Sequence, residues 1–310
     1  MLRSFALVFS ILISTGAVMA QSSEEGNSAT IDQSGEANAT DVQQSGTRIS
    51  ADVIQAGTEQ SAEIEQTGER HSAEVTQSSR GNSVVAEQTG SFATLLVDQS
   101  FGDANVATVK QVLSGIVEIS QSHGTSNVVQ VEQGDNDNRA YLAQDYGTSN
   151  TVELLQEGSE HEAYVYQTSG IENAVMVTQL GDAGSDWDTN YSSIDQSGGA
   201  SNTVTVMQWA PEYGVFQGPD RYNTATVSQR GGSSNTADVE QWLANDASIG
   251  QDGGVSNYAG VLQIGLRNSG IVRQAEGAAH NSAEILQTGS FHTAEIVHQG
   301  LRNTARVEQD

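Results

Sequence analysis

The residues that could do chemistry in this chain are its six histidines and 39 acidic side chains, set among many serines. Hydrolysis at a serine or a zinc ion would need a nucleophile elbow or a His-Glu-x-x-His helix, and the sequence contains neither. His71, His123, His161, His280, His292 and His298 belong to no zinc pattern, and there is no cysteine to complete one or to form a disulfide. Asp186-Trp-Asp188-Thr-Asn190 has the opening of a calcium loop but lacks the Gly and closing Glu at EF-hand spacing. Glycine comes as turn punctuation, not as a phosphate-cradling loop ahead of a helix. The expectation is a chain that is no enzyme, with no catalytic residue, metal or cofactor. Trp187, Trp209, Tyr213, Phe216, Tyr222 and Trp242 cluster in or beside two irregular stretches. Of these, Trp187, Trp209 and Tyr213 are candidates for stacking on a sugar or a partner protein. The plainer alternative is that such rings seal a loop against the body of the fold.

The elements that carry these residues follow from a repeat. In Gly57-Thr-Glu-Gln60-Ser-Ala62-Glu-Ile64-Glu-Gln66-Thr-Gly68, a polar amide, a small residue, an aliphatic and a Gln fall at i, i+2, i+4 and i+6. Gln33, Gln44, Gln55, Gln66, Gln77, Gln88 and Gln99 stand 11 residues apart, and the series continues to Gln309, 24 units in all. Two residues before the Gln an aliphatic stands in 23 units, with Ala86 the exception, and six before it 17 units carry Asn. A short period sustained this far marks a solenoid. Side chains at alternate positions share one face of an extended chain, whereas a helix would scatter them, so each unit is a strand followed by a Gly-containing turn.

One such strand cannot bury its apolar face alone. Two units folded as strand, turn, strand face each other across about 10 Å, and successive pairs stack in parallel at about 4.8 Å. The expected fold is an all-β, two-sheet β-solenoid of about 12 coils, with parallel in-register stacking and a rod length of roughly 55–60 Å. Its ladder positions include Asn38, Gln44, Gln55, Gln66, Asn82, Gln88, Asn127, Gln133, Asn202, Gln208, Asn235, Gln241, Asn268, Gln274, Asn303 and Gln309, with Gly35, Gly46, Gly57 and Gly68 in the turns. An inward amide is expensive unless hydrogen-bonded, and an in-register column offers each amide its own kind as partner. His71 and His161 occupy the Asn slot, which makes them ladder members before metal ligands.

This pattern resembles the repeats of the curlin family, the subunits of bacterial curli fibres, whose units read Ser-x5-Gln-x-Gly-x2-Asn-x-Ala-x5-Gln. The nearest matches are Gln263-Ile-Gly265-Leu-Arg-Asn268-Ser-Gly270-Ile-Val-Arg-Gln274 and Gln55-Ala-Gly57-Thr-Glu-Gln60-Ser-Ala62-Glu-Ile-Glu-Gln66. The resemblance covers residues 27 to 309. Two departures stand out: Asn occupies both halves where the family alternates Ser and Asn, and only Gln21 to Gly26 precede the first repeat where family members carry a Gly-rich export segment. The resemblance implies a functional amyloid, exported through the periplasm to the cell surface. Its implied partners are a nucleating curlin-like subunit, a periplasmic chaperone and an outer-membrane secretion channel.

Residues 1–20 read as a signal peptide, with Arg3, an apolar run from Phe5 to Ser14, and Ala17-Val-Met-Ala20 before the expected cleavage. The run is too short to span a membrane. Residues 21–310 form the solenoid, with loop insertions near 180–190 and 209–222; the second holds both prolines, Pro211 and Pro219. Proline cannot donate to a strand ladder, so its absence from the repeats agrees with the strand assignment. A formal net charge of −27 argues against nucleic acid or an anionic membrane as partner. The outward residues Gln43, Glu65, Glu87, Lys110 and Glu132 are expected to form one mostly acidic column, read either as gatekeepers against early assembly or as a solvated face. With the first strand near Asn27 and the last Gln beside Asp310, neither end is expected to hold a cap, leaving strand edges as templates for another copy. The reading is a secreted subunit of curli-like fibres serving adhesion and biofilm matrix. Its rivals are a non-polymerising secreted β-solenoid, such as an adhesin or an ice or carbohydrate binder, and a β-helical enzyme on polysaccharide.

Overall fold

Strict alternation of apolar and polar residues makes every unit a strand with one dry face. The computed structural model describes residues 6–14, 18–22, 26–181, 189–210 and 222–310. It forms two compact units, Met1–Tyr146 and Gly147–Asp310.

Unit 1 begins with β1 (Ala6–Ser14), β2 (Val18–Ser22), β3 (Ser28–Glu36), β4 (Ala39–Thr47), β5 (Ser50–Thr58) and β6 (Ser61–Glu69). It continues through β7 (Ser72–Arg80), β8 (Ser83–Ser91), β9 (Ala93–Asp103), β10 (Val106–Val112), β11 (Gly115–Ser122), β12 (Val128–Gln133) and β13 (Asn138–Asp145). Unit 2 holds β14 (Thr151–Glu157), β15 (Glu162–Thr168), β16 (Ala174–Leu180), β17 (Asn190–Ser197), β18 (Thr203–Trp209), β19 (Asn223–Arg230) and β20 (Thr236–Trp242). It closes with β21 (Asp246–Asp252), β22 (Tyr258–Leu266), β23 (Ser269–Gln274), β24 (Ser282–Ser290), β25 (Thr293–His298) and β26 (Thr304–Gln309).

Within each unit the odd strands form one parallel sheet and the even strands a second, so the chain crosses between sheets at every turn. Each unit is thus a two-sheet β-solenoid, all-β and without a helix among the described residues. Identical slots pair: Ser50 with Ser72, Val53 with Val75 and Gln55 with Gln77. Register survives the long steps, since Gln179 pairs with Gln208 and Gln208 with Gln241. The two insertions themselves fall largely outside the described residues.

The core between the sheets receives one small residue, one aliphatic and one amide per strand. Ala62, Ile64 and Gln66 are buried, as are Ala73, Val75 and Gln77. Each fully buried Val or Ile contributes about 1.5–3 kcal/mol, which lets a thin core of small aliphatics hold without large aromatics.

Gly35, Gly46, Gly57 and Gly68, expected in turns, lie near the ends of β3 to β6, where two kinds of position carry special backbone. Gly46 sits at φ +130°, and a Cβ there would lie 1.9 Å from the Gly68 carbonyl oxygen one coil on. The residue just before the Asn slot is in several units left-handed without being glycine: Ala37, Glu59, Arg70 and Phe92 have φ of 57°, 59°, 58° and 64°. In one unit the inward rung is a histidine next to a glutamine. Gln274 pairs with His298, so His298 and not Gln299 fills the amide slot of that unit.

Candidate functional site

The Gln side chains form continuous columns. In the odd sheet of unit 1, Gln33 Nε2 donates to Gln55 Oε1 at 2.6 Å, Gln55 to Gln77 at 2.8 Å and Gln77 to Gln99 at 2.9 Å. In the even sheet, Gln44 donates to Gln66 at 3.0 Å, Gln66 to Gln88 at 2.7 Å and Gln111 to Gln133 at 3.1 Å. Unit 2 repeats the arrangement, with Gln208 to Gln241 at 3.0 Å, Gln251 to Gln274 at 2.8 Å and Gln287 to Gln309 at 2.8 Å. The second Nε2 hydrogen crosses to a carbonyl of the facing sheet: Gln44 to Ser28 O at 2.9 Å, Gln66 to Ser50 O at 3.1 Å. Each amide therefore joins two coils and two sheets, which answers the desolvation cost of burying it.

The Asn column works differently from the expected amide-on-amide ladder. Asn38 Nδ2 donates to Ser34 O at 2.9 Å, four residues back in its own turn, while its Oδ1 accepts the Gln60 N–H at 3.1 Å. Asn82 does the same with Ser78 O at 2.8 Å and Asn105 N–H at 2.9 Å. Asn202 accepts from Asn235 N–H at 3.0 Å, Asn268 from His292 N–H at 3.0 Å, and Asn281 from Asn303 N–H at 2.7 Å. Asn127 follows suit, its N–H donating to Asn105 Oδ1 at 3.1 Å. One methylene shorter than Gln, Asn reaches backbone more readily than the next side chain. It clamps the left-handed residue beside it, and Asn223 Nδ2 to Asn190 Oδ1 at 2.9 Å is a bond of the expected kind.

Histidine substitutes for Asn in this clamp. His71 is buried; its Nε2 faces Thr67 O at 3.1 Å and its Nδ1 accepts the Ala93 N–H at 3.3 Å. These partners select the neutral Nε2–H tautomer, and burial holds its pKa below the usual 6.5 against the opposing pull of the Thr67 and Gly90 carbonyls. His161 repeats the geometry with Glu157 O at 3.0 Å and Asn190 N–H at 3.1 Å. Asn190 itself is a buried rung, not the third ligand of a calcium loop; Asp186 and Asp188 lie outside the described residues. Among the described residues no group of three or more His, Asp or Glu is arranged to hold a metal.

On the outer face of the even sheet, Gln43, Glu65, Glu87, Lys110 and Glu132 stand in register. Lys110 Nζ lies 2.7 Å from Glu132 Oε1. That hydrogen bond, then the Glu132 charge, raises its pKa above 10.5.

Against known families, the model of the curlin-associated repeat matches residues 46–78, 57–90 and 147–181. The chain carries curlin-associated repeats. No curated protein matches it. The matched curlin repeats include Gly46, Gly57, Gly68 and the amides Gln55, Gln66, Gln77 and Gln88 of unit 1, and Gln156, Gln167 and Gln179 of unit 2. Curlin repeats on a β-solenoid are a structural, not an enzymatic, arrangement. No described helix is long and apolar enough to cross a membrane.

Of the candidate stacking aromatics, Trp187 and Tyr213 lie outside the described residues, and Trp209 is exposed with its ring 4.4 Å from that of Trp242. A second aromatic feature went unread in the sequence. Phe101, His123 and Tyr146 stack at 5.1 and 4.6 Å along one turn edge of unit 1. Its signal is simple: each ring follows a ladder Gln by two residues (Gln99, Gln121 and Gln144).

Proposed function

We propose that this protein is the secreted subunit of a curli-like extracellular fibre, growing by end-to-end stacking of identical coils. The supporting observation is the in-register amide column, because one more coil of the same chemistry extends it with no new geometry. Cleavage before Gln21 would remove β1 and most of β2, freeing one edge of β3 and β4 for pairing. An incoming unfolded chain would dock a first coil on an open strand edge and fold coil by coil. On this reading the fibre lies at the cell surface as adhesive and biofilm matrix. A nucleating curlin-like subunit and an outer-membrane secretion channel serve its export and initiation.

Thioflavin fluorescence on residues 21–310 diluted from denaturant, with and without preformed seeds, tests the assembly step. A seeded, concentration-dependent rise is expected, with fibre reflections at about 4.8 and 10 Å. A stable monomer that never elongates on seeds would sink the proposal.

A further inference from the structure

The outer face of the even sheet in unit 2 carries a groove of about 530 Å³. Its origin is a missing side chain. The outward rank through Thr205, Asp238, Gly260, Glu284 and Arg306 has a gap at Gly260, and β20, β22 and β24 hold its neighbours in register. Tyr258 leans over the gap: a Cβ added at Gly260 would meet its Oη at 2.7 Å. Asp238, half-buried at the edge of the gap, is hydrogen-bonded by Thr205 and Tyr258, yet burial still pushes its carboxyl above the usual range. Met207, Leu262 and Leu286 line the next rank, with Glu240 among them.

The charges in this groove do not balance. Asp238, Glu240 and Glu284 border it, while Arg306, the one cation lining it among the described residues, lies 3.4 Å from Glu308. Trp242 Nε1 donates to Glu240 Oε1 at 2.7 Å, fixing that carboxylate at the rim. An apolar rank beside two half-buried carboxylates, Asp238 and Glu240, matches a ligand whose cation rides on an apolar stem. We propose that the groove binds a basic peptide, seating an arginine or lysine head among Asp238, Glu240 and Glu284, with its stem along Tyr258, Leu262 and Leu286. A neutral sugar would find the aromatic rim but leave the carboxylates uncompensated. The proposal stands apart from fibre assembly, since the groove opens on the outer face of the sheet.

The test is calorimetric titration of the full chain with the end-blocked tripeptide Arg-Leu-Arg at physiological salt. Gly260→Val takes the space under the Tyr258 ring and pushes that ring into the groove at unchanged net charge, and at least tenfold weaker binding is expected. Equal binding by this variant would mean bulk attraction to an acidic protein and would overturn the proposal. So would no binding to the parent chain, or binding of cellotetraose in place of the peptide. Should Gly260→Val fail to fold, Asp238→Asn with Glu284→Gln is compared with Glu63→Gln with Glu65→Gln, which removes the same charge from unit 1. Only the first pair is expected to weaken binding tenfold; equal losses would overturn the proposal.

Discussion

Lys110 Nζ sits 2.7 Å from Glu132 Oε1 in a column whose next outward neighbour on the other side is Glu87. In-register stacking forces like side chains together every coil, so one lysine relieves repulsion that the sequence repeat would otherwise concentrate. The pair is exposed, and its weight lies in steering more than in stability. Lys110→Glu is expected to lengthen the lag of assembly at low salt, with the difference shrinking at high salt as screening removes it. A lag indifferent to both would assign the column to solubility alone. Because the folded pKa of Lys110 lies above 10.5, the pair's contribution is intact below that pH and fades as pH climbs through the raised value.

His71 predicts an acid-sensitive coil. Its pKa is lowered by burial, so the unfolded chain takes up the proton first as pH falls below 6.5. The stability it supports is present above that value and lost through the lowered folded value. Protonation also sets an Nδ1–H against the Ala93 N–H, two donors face to face. His71→Asn keeps the clamp and removes the charge. Denaturation midpoints at pH 7.5 and 5.0 should fall less for this variant than for the parent, and equal falls would place the acid sensitivity elsewhere.

Gln66→Leu should be among the most damaging conservative-volume changes in unit 1. It takes the acceptor from one Gln44 Nε2 hydrogen and the donor from Gln88 Oε1 and from the Ser50 carbonyl at once. Each buried group left unpaired costs roughly 1–3 kcal/mol, so a loss of about 3 kcal/mol or more is expected in chemical denaturation. A loss near zero would mean that the column is decorative.

The glycines between strands and at their ends are not equivalent. Gly57→Ala drives a Cβ to 2.0 Å from the Ser79 carbonyl oxygen, against backbone that cannot yield without breaking the stack. At Gly277 a Cβ meets nothing within 4 Å, so Gly277→Ala should cost only about 1 kcal/mol for its left-handed backbone. Parallel melting curves of the two variants decide the matter.

The strands, their pairing partners and the inward face were legible because a period of two fixes which side chains are dry, and a repeat fixes which lie above one another. The Gln columns follow from the same logic. The Asn clamp did not, because it depends on side-chain length and on a turn conformation that composition does not announce: Glu59, Arg70 and Phe92 hold positive φ although none is a residue chosen for it. Register near His298 was hidden by an adjacent Gln299 that satisfies the pattern equally well on paper. Pairing with Gln274 decides it, and burial without a partner for Nδ1 makes His298 a weak rung. The groove over Gly260 was invisible for a different reason. A lone glycine between Ala259 and Val261 says nothing until its neighbours in the next coil are known.

In each unit the Gln amides named above all give their hydrogen toward the higher-numbered coil, and bonds such as Gln44 Nε2 to Ser28 O hold them that way round. Such a column is a vector. Its two faces differ as plug differs from socket, with lone pairs on one and N–H groups on the other. A second column set against it in reverse would meet like with like, whereas one set in the same sense would continue it. Direction is therefore written into every rung, although the sequence units that supply the rungs are nearly interchangeable.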